Sequence, residues 1–203
     1  MLKKLIRLVV GLFLFSVGIV MSVNANLGVA PWDVLHTGIT SITDFTLGQV
    51  SIGVGIILLI IDYFLDVKIG IGTVLNMVLI GIFIDILMIF NIIPVLENTI
   101  LGIIMIIISL FIIALGSYLY IGAGLGTGPR DGLMVGLTKK TKRRVGTVRG
   151  FIEITALVVG FLLGGKVGFG TVILAFGVGF VIQITFDFFN FEAEKVEHIY
   201  FIN

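Results

Sequence analysis

Leu27-Gly28-Val29-Ala30-Pro31-Trp32-Asp33 returns later in the chain as Leu125-Gly126-Thr127-Gly128-Pro129-Arg130-Asp131, a step of 98 residues. At the same step, the Lys68-x-Gly70-x-Gly72-Thr73-Val74 pattern recurs: Lys68, Gly70, Gly72, Thr73 and Val74 fall on Lys166, Gly168, Gly170, Thr171 and Val172. No gap is needed between the two matches, and most intervening positions pair apolar with apolar. The chain therefore reads as two tandem copies of one unit. In a membrane protein, internal duplication of this kind marks a pseudo-symmetric carrier or channel whose site lies where the copies meet.

The membrane assignment rests on composition. The chain of 203 residues is 58% hydrophobic and 12% charged, with a mean hydropathy of +1.24, far from soluble proteins. Nearly uncharged apolar runs cover residues 5–23, 50–65, 69–90, 100–121, 148–163 and 167–189. Crossing a hydrocarbon core of roughly 30 Å takes about 17–25 helical residues, which most of these runs supply. The 27 glycines suit close helix packing in lipid. With no cysteine, disulfides and thiolate metal sites are excluded. Lys3-Lys4, an apolar run and Val23-Asn24-Ala25 imitate a signal peptide with its cleavage site. Because residues 12–25 align with residues 110–123 in mid-chain, the run is expected to be a retained first transmembrane helix.

Each unit has the same parts. A long helix ends in a break rich in Gly and Asn, residues 24–30 in the first copy and 122–128 in the second. Pro31 and Pro129 then open short helices, expected to reach about Thr43 and about Lys139. Proline suits a first helical turn, where its missing N–H has no intrahelical partner. These helices are too short to cross comfortably. They read as re-entrant, with irregular backbone that lipid tolerates only where it is buried in protein or lines a cavity. The fold expected is an all-α polytopic membrane protein forming a single membrane domain over residues 1–203. Its two repeats cover residues 5–91 and 100–190, each with three transmembrane helices plus one Pro-initiated re-entrant helix, and an acidic tail follows at 191–203.

Two topologies compete. Re-entrant short helices give three crossings per unit and an inverted second copy; crossing short helices give eight spans and parallel copies. Lys139, Lys140, Lys142, Arg143 and Arg144 form a loop whose first-copy equivalent, around Asp44, has no basic residue. Lys3, Lys4 and Arg7 open the first copy, whereas residues 91–99 before the second carry only Glu97. Opposite basic content in equivalent loops is what the positive-inside rule gives for inverted copies with both termini cytoplasmic.

Ionisable groups inside the membrane are costly and tend to mark a site. They gather at the breaks: Trp32, Asp33 and His36 in the first copy, Arg130 and Asp131 in the second, with Asn26 and Glu153 as further candidates for substrate binding. Asp33 and His36 share a helix face and form a carboxylate–imidazole pair suited to handling a proton. Two helix N-termini meeting near Arg130 would attract an anion or a solute carrying a carboxylate. The competing reading is structural: the Asp pair caps its helices, Arg130 pairs with one of them or with Glu153, and Trp32 is an interfacial anchor. Asp62 and Asp66 read as boundary residues, and residues 192–198 as a solvated end.

Other chemistries find no support. The glycines from Gly122 to Gly128 follow an apolar span rather than a βαβ unit, no phosphate-binding P-loop occurs, and the two histidines are far apart. No cofactor, metal or nucleic-acid partner is expected, nor an enzyme, since no nucleophilic triad or catalytic carboxylate pair is visible. The expected partners are the lipid bilayer and a small solute, and small-residue surfaces permit a homodimer.

The Leu-Gly-x-x-Pro-Trp-Asp segment and Gly124-Leu-Gly-Thr-Gly-Pro-Arg-Asp-Gly-Leu-Met134 resemble the YczE branch of the YczE/YyaS/YitT membrane proteins of bacteria, over essentially the whole chain. The resemblance implies a multi-pass protein of the bacterial inner membrane without an established substrate, and supplies no catalytic residues. Some members are associated with secondary-metabolite production in bacilli, which is compatible with export. Two functions follow as expectations: a secondary transporter of a small, anionic solute or secondary metabolite, or a non-transporting membrane partner that assembles or regulates another protein. An impermeant thiol reagent applied to intact cells should label Asp44→Cys and leave Lys142→Cys protected; protection of both would favour the parallel eight-span arrangement.

Overall fold

The computed structural model describes residues 1–201. Eight α-helices follow one another: α1 (Leu2–Asn24), α2 (Pro31–Ile42), α3 (Leu47–Phe64), α4 (Ile71–Ile89), α5 (Thr99–Ile121), α6 (Pro129–Thr141), α7 (Val145–Leu162) and α8 (Phe169–Phe188). No β-strand occurs among the described residues. Six of the helices are long and apolar enough to cross a membrane, which makes this a multi-pass protein; α2 and α6, at 12 and 13 residues, are not among them.

Local chemistry sets the helix starts. Proline occupies the first turn of α2 and of α6, where no N–H is missed. Thr46 and Gln49 form a reciprocal cap on α3, the Gln49 N–H donating to Thr46 Oγ1 and the Thr46 N–H to Gln49 Oε1, both at 3.1 Å. Asn98 Oδ1 accepts from the N–H groups of Ile100 and Leu101 at the start of α5. The amides of Gly70 and Gly168 donate to Thr73 Oγ1 and Thr171 Oγ1 in the first turns of α4 and α8.

The helices α1 and α5 form the centre and run antiparallel. Arg7 lies against Tyr118, Gly11 against Gly116, Gly18 against Ser109 and Ile113, and the Ala25 carbonyl against Gly102. A Cβ on Gly11 would come within 2.7 Å of the Tyr120 nitrogen, and one on Gly116 within 2.7 Å of the Phe15 nitrogen. Only glycine permits this backbone approach, and in lipid such close packing holds helices together where the hydrophobic effect does not. The helix α4 packs on α1 and α8 on α5, while the short helices cross over: α2 lies on α7 and α6 on α3.

Both breaks are tied to the opposite half of the chain. The Gly170 N–H donates to the Leu27 carbonyl at 2.7 Å, and the Gly72 N–H to the Leu125 carbonyl at 2.7 Å. Left-handed backbone recurs at equivalent points, with φ +97° at Gly28 and +118° at Gly126. At one end of the bundle Asn24 bonds Ile93 and Leu96, beside the α7–α8 turn. At the other end lie the α3–α4 turn, the second break and the tail.

That tail corrects an expectation. Residues 192–198 do not form a free solvated end throughout. Ile199 N–H donates to the Gly124 carbonyl, Phe201 N–H to the Ile69 carbonyl, and Gly126 N–H to His198 Nδ1 at 3.1 Å. Asp62 also departs from the reading as a boundary residue: it is 1% exposed, its carboxyl set against Gly132 of α6.

Because His198 Nδ1 accepts a hydrogen bond, docking needs the neutral ring. Burial lowers the His198 pKa below its ordinary 6.5, and Lys4 lowers it further. A lowered folded value means the folded state binds fewer protons, so tail docking is complete above pH 6.5 and is lost as pH falls below it. A spin label at Lys195→Cys should therefore become more mobile on acidification below pH 6.5, and a His198→Ala background should be mobile at every pH.

Candidate functional site

The starts of α2 and α6 meet at a cavity of about 360 Å³ near the middle of the bundle. Its walls are mostly apolar, drawn from all eight helices, among them Phe15, Ile80, Ile113, Met77 and Val178. Neither α2 nor α6 has a side-chain cap, so both present free N–H groups and the positive end of the helix dipole.

Of the residues expected to bind substrate, Trp32, Asp33, His36, Arg130, Asp131 and Glu153 all line this cavity. Asn26 does not. It is exposed and holds a left-handed φ of +56° in the first break, a turn position that asparagine tolerates better than most residues. Its part is in the backbone of the break.

Arg130 stands at the centre. Its guanidinium carbon lies 4.8 Å from the centroid of the Trp32 ring, and its Nη2 lies 3.4 Å from His36 Nε2. Trp32 and Arg130 occupy equivalent positions of the two copies, so the stacked pair joins the halves. Arginine can only donate, so His36 Nε2 faces it with a lone pair and the ring proton sits on Nδ1. That nitrogen is 3.4 Å from Asp33 Oδ1. His36 is 1% and Asp33 4% exposed, and Asp33 Oδ1 has no hydrogen-bond partner among the described residues. Asp131 Oδ2 accepts from the Tyr120 hydroxyl at 3.0 Å.

These contacts bear on the structural reading of the charges. Neither aspartate caps its own helix. Arg130 has no carboxylate oxygen within 4.0 Å among the described residues. Glu153 is held by Arg149, Nε to Oε1 at 3.0 Å, as their i, i+4 spacing suggests. Trp32 stacks on Arg130. The cavity thus holds a stacked guanidinium whose donors are not matched by a fixed carboxylate, between two helix N-termini.

Two further residues belong here. Tyr120 precedes the second break on α5; its equivalent, Ser22, bonds only the Ile19 carbonyl, and a tyrosine closing an apolar run gives no periodic signal. Asn76 stands over Gly128, where a Cβ would lie 3.2 Å from its Oδ1; its lack of a polar counterpart at Leu174 was the visible clue. Among the described residues, no three His, Asp or Glu side chains cluster as a metal site would require.

A model of the family described as "Family of unknown function (DUF6198)" matches residues 2–187. The uncharacterized membrane protein YczE of Bacillus subtilis is 36% identical over 178 residues, 86% of this chain and 81% of that one. An uncharacterized protein of Haemophilus influenzae is 34% identical over 197 residues, 97% of this chain and 88% of its own. The uncharacterized protein YyaS of Bacillus subtilis is 27% identical over 167 residues, 81% of this chain and 83% of its own. No solved structure matches this chain.

Removing the Tyr120 hydroxyl leaves the Asp131 carboxylate short of its donor, an omission that costs about 1–3 kcal/mol when the group is buried. Tyr120→Phe should lower the melting temperature of the purified protein in detergent. Tyr118→Phe should not, since Tyr118 contributes its ring to Phe189 and Arg7.

Proposed function

The chain belongs to the DUF6198 family, and we propose that it is a secondary transporter of the bacterial inner membrane for a small organic anion. The acid group binds Arg130 and the apolar body fills the cavity. One observation carries this reading: the Arg130 guanidinium, stacked on Trp32 at the junction of two helix N-termini, has no carboxylate oxygen within 4.0 Å among the described residues. A protein seldom keeps such a group at membrane depth without a ligand to meet it.

The inverted arrangement has support beyond the charge pattern. Equivalent helices α1 and α5 run antiparallel, and each break is tied to the other half by an equivalent bond. Gly136 of α6 packs on Leu65 and Val67, which brings the basic residues after Thr138 to the end that also holds Lys68, Lys4 and the tail. Under the positive-inside rule that end is cytoplasmic, with both termini on it. The helices α2 and α6, starting at the cavity and running to opposite ends, then serve as half-helices on either side of a central site.

Asp33 and His36 give the transporter a proton-handling pair. Uptake of the anion with a proton requires one group to take that proton close to the bound charge. Protonated on both nitrogens, His36 would no longer offer a lone pair to Arg130, which frees the guanidinium for the solute.

In detergent, carboxylates with apolar bodies, benzoate and hexanoate among them, should raise the melting temperature of the unaltered protein. Arg130→Ala should abolish the shift, and uptake of the same anion into proteoliposomes should fall by at least about tenfold, the loss of one charge-assisted contact. Equal stabilisation of both proteins would remove Arg130 from the site. No anion effect, together with one stoichiometric partner captured through the basic run, would favour the assembly-factor reading.

A further inference from the structure

The two copies differ most where their third and fourth helices meet. In the first copy α3 lies along α4. Gly48 and Gly81 touch so closely that a Cβ on Gly81 would come within 2.6 Å of the Gly48 carbonyl. Asp85 closes this seam like a clasp: Oδ1 accepts from the Gly48 N–H at 2.8 Å and Oδ2 from the Thr46 hydroxyl at 2.6 Å. Asp85 thereby pins the start of α3 to the far end of α4.

Every one of these contacts is absent at the equivalent positions of the second copy. The helix α7 stands off from α8. Gly146 and Gly179, the equivalents of Gly48 and Gly81, each have nothing among the described residues within 4 Å of where a Cβ would stand. Gln183, in the place of Asp85, turns to Asp187 on its own helix at 2.8 Å. Arg144 replaces Thr46. Yet the inward faces of both helices, Ile152 and Glu153 on one and Val178 and Ile182 on the other, line the same cavity.

The two seams also lie at opposite ends. The clasped one is at the start of α3, away from the tail, because the far end of α3 meets the tail-side turn. The open one is at the start of α7, on the tail side, because the far end of α7 meets Ser41 and the first break. Its rim carries Arg144, which precedes α7, and Arg149, whose side chain is half exposed.

We propose that the α7–α8 cleft is the entrance by which an anionic solute reaches Arg130 from the basic end, and that the α3–α4 seam is its closed counterpart at the other end. This rests on the transporter reading and deepens it. The solute crosses when α7 closes on α8, Gly146 meeting Gly179, while the Asp85 clasp opens. Gln183 is equipped for the exchange, since its amide oxygen can accept from the Gly146 N–H as Asp85 does from Gly48. Its bond is neutral where that of Asp85 is charge-assisted and about twice as strong. The resting protein therefore keeps the α3–α4 seam shut and the basic entrance open.

The absence of cysteine allows the exchange to be read without any solute. Two cysteine pairs, Thr46→Cys with Asp85→Cys and Arg144→Cys with Gln183→Cys, would be oxidised in membranes and the remaining thiols counted by gel shift with a maleimide polymer. The first pair should cross-link rapidly. The second should cross-link slowly, yet faster than Phe151→Cys with Phe180→Cys on outward faces. Adding Asp85→Asn to the second pair should speed it at least about threefold, as weakening a charge-assisted bond requires. Gly179→Leu meets nothing in the open cleft, so it should fold as the parent does while preventing that cross-link. A second pair no faster than the outward control, or indifferent to both Asp85→Asn and Gly179→Leu, would overturn the proposal. Carboxylate stabilisation through Arg130 is measured separately, so failed gating and a failed anion site give different results.

Discussion

Two backbone hydrogen bonds hold the arrangement together: Gly170 N–H to the Leu27 carbonyl and Gly72 N–H to the Leu125 carbonyl. A helix broken inside a bilayer exposes carbonyls and amides that lipid cannot satisfy, each at a cost of several kcal/mol. Here each break is satisfied by the first turn of a helix in the other half. Neither half can therefore form its break alone. The bonds also explain the Gly-x-Gly-Thr-Val segments. At Gly72 a Cβ would approach the Leu125 carbonyl to 2.8 Å, and at Gly170 one would approach the Leu27 carbonyl to 2.9 Å. The threonine that follows each glycine caps the turn through its hydroxyl.

With the breaks fixed, the starts of α2 and α6 are brought to one place, and the rest of the site follows from donor and acceptor rules. Arginine offers no acceptor, so it determines the tautomer of His36, and the tautomer directs the Nδ1 proton to Asp33. Trp32 covers a face of the guanidinium that water would otherwise occupy, an arrangement worth about 2 kcal/mol or more once desolvated. Arg130 lines the cavity with no carboxylate oxygen within 4.0 Å of it among the described residues. In the reading proposed above, this is the group that an anionic solute would meet.

Much of this was legible in the sequence because membrane proteins write their architecture in simple terms. Apolar length gave the six long helices, proline gave the starts of the two short ones, and charge spacing gave the cluster at Trp32, Asp33, His36, Arg130 and Asp131. The errors share a cause. Asp62 looked like a boundary residue because it lies near a helix end, but α6 crosses over to cover it, and no local pattern encodes a crossing between distant segments. The tail looked solvated because its charges dominate composition, whereas its docking uses backbone groups of Ile199 and Phe201 and one ring nitrogen of His198. Asn26 was drawn into the site by its place in the break, although its left-handed backbone turns it outward. Tyr120 was passed over because a single tyrosine on an apolar helix has no partner in sequence; its carboxylate lies eleven residues on, beyond the break.

Duplication makes the differences between the copies as informative as their likeness. Where both copies keep a residue, as at Gly72 and Gly170 or Pro31 and Pro129, the residue serves the backbone, which must be built twice. Where they diverge, the residue serves something needed once. Trp32 against Arg130 is one such pair: two arginines would repel across the junction, whereas one of each gives a stacked charge, the charge that the proposed anion would meet. Asp85 against Gln183 is another. Two equal clasps would leave the two seams equally shut, and a solute-sized cavity would have no preferred mouth. In the proposed gating, one charge-assisted clasp and one neutral counterpart bias the molecule to a single open side while keeping the reverse arrangement within a few hydrogen bonds. On the proposed transporter reading, the asymmetry falls where a carrier needs it, at Arg130 and at the seams, and the symmetric residues form the frame against which both would act.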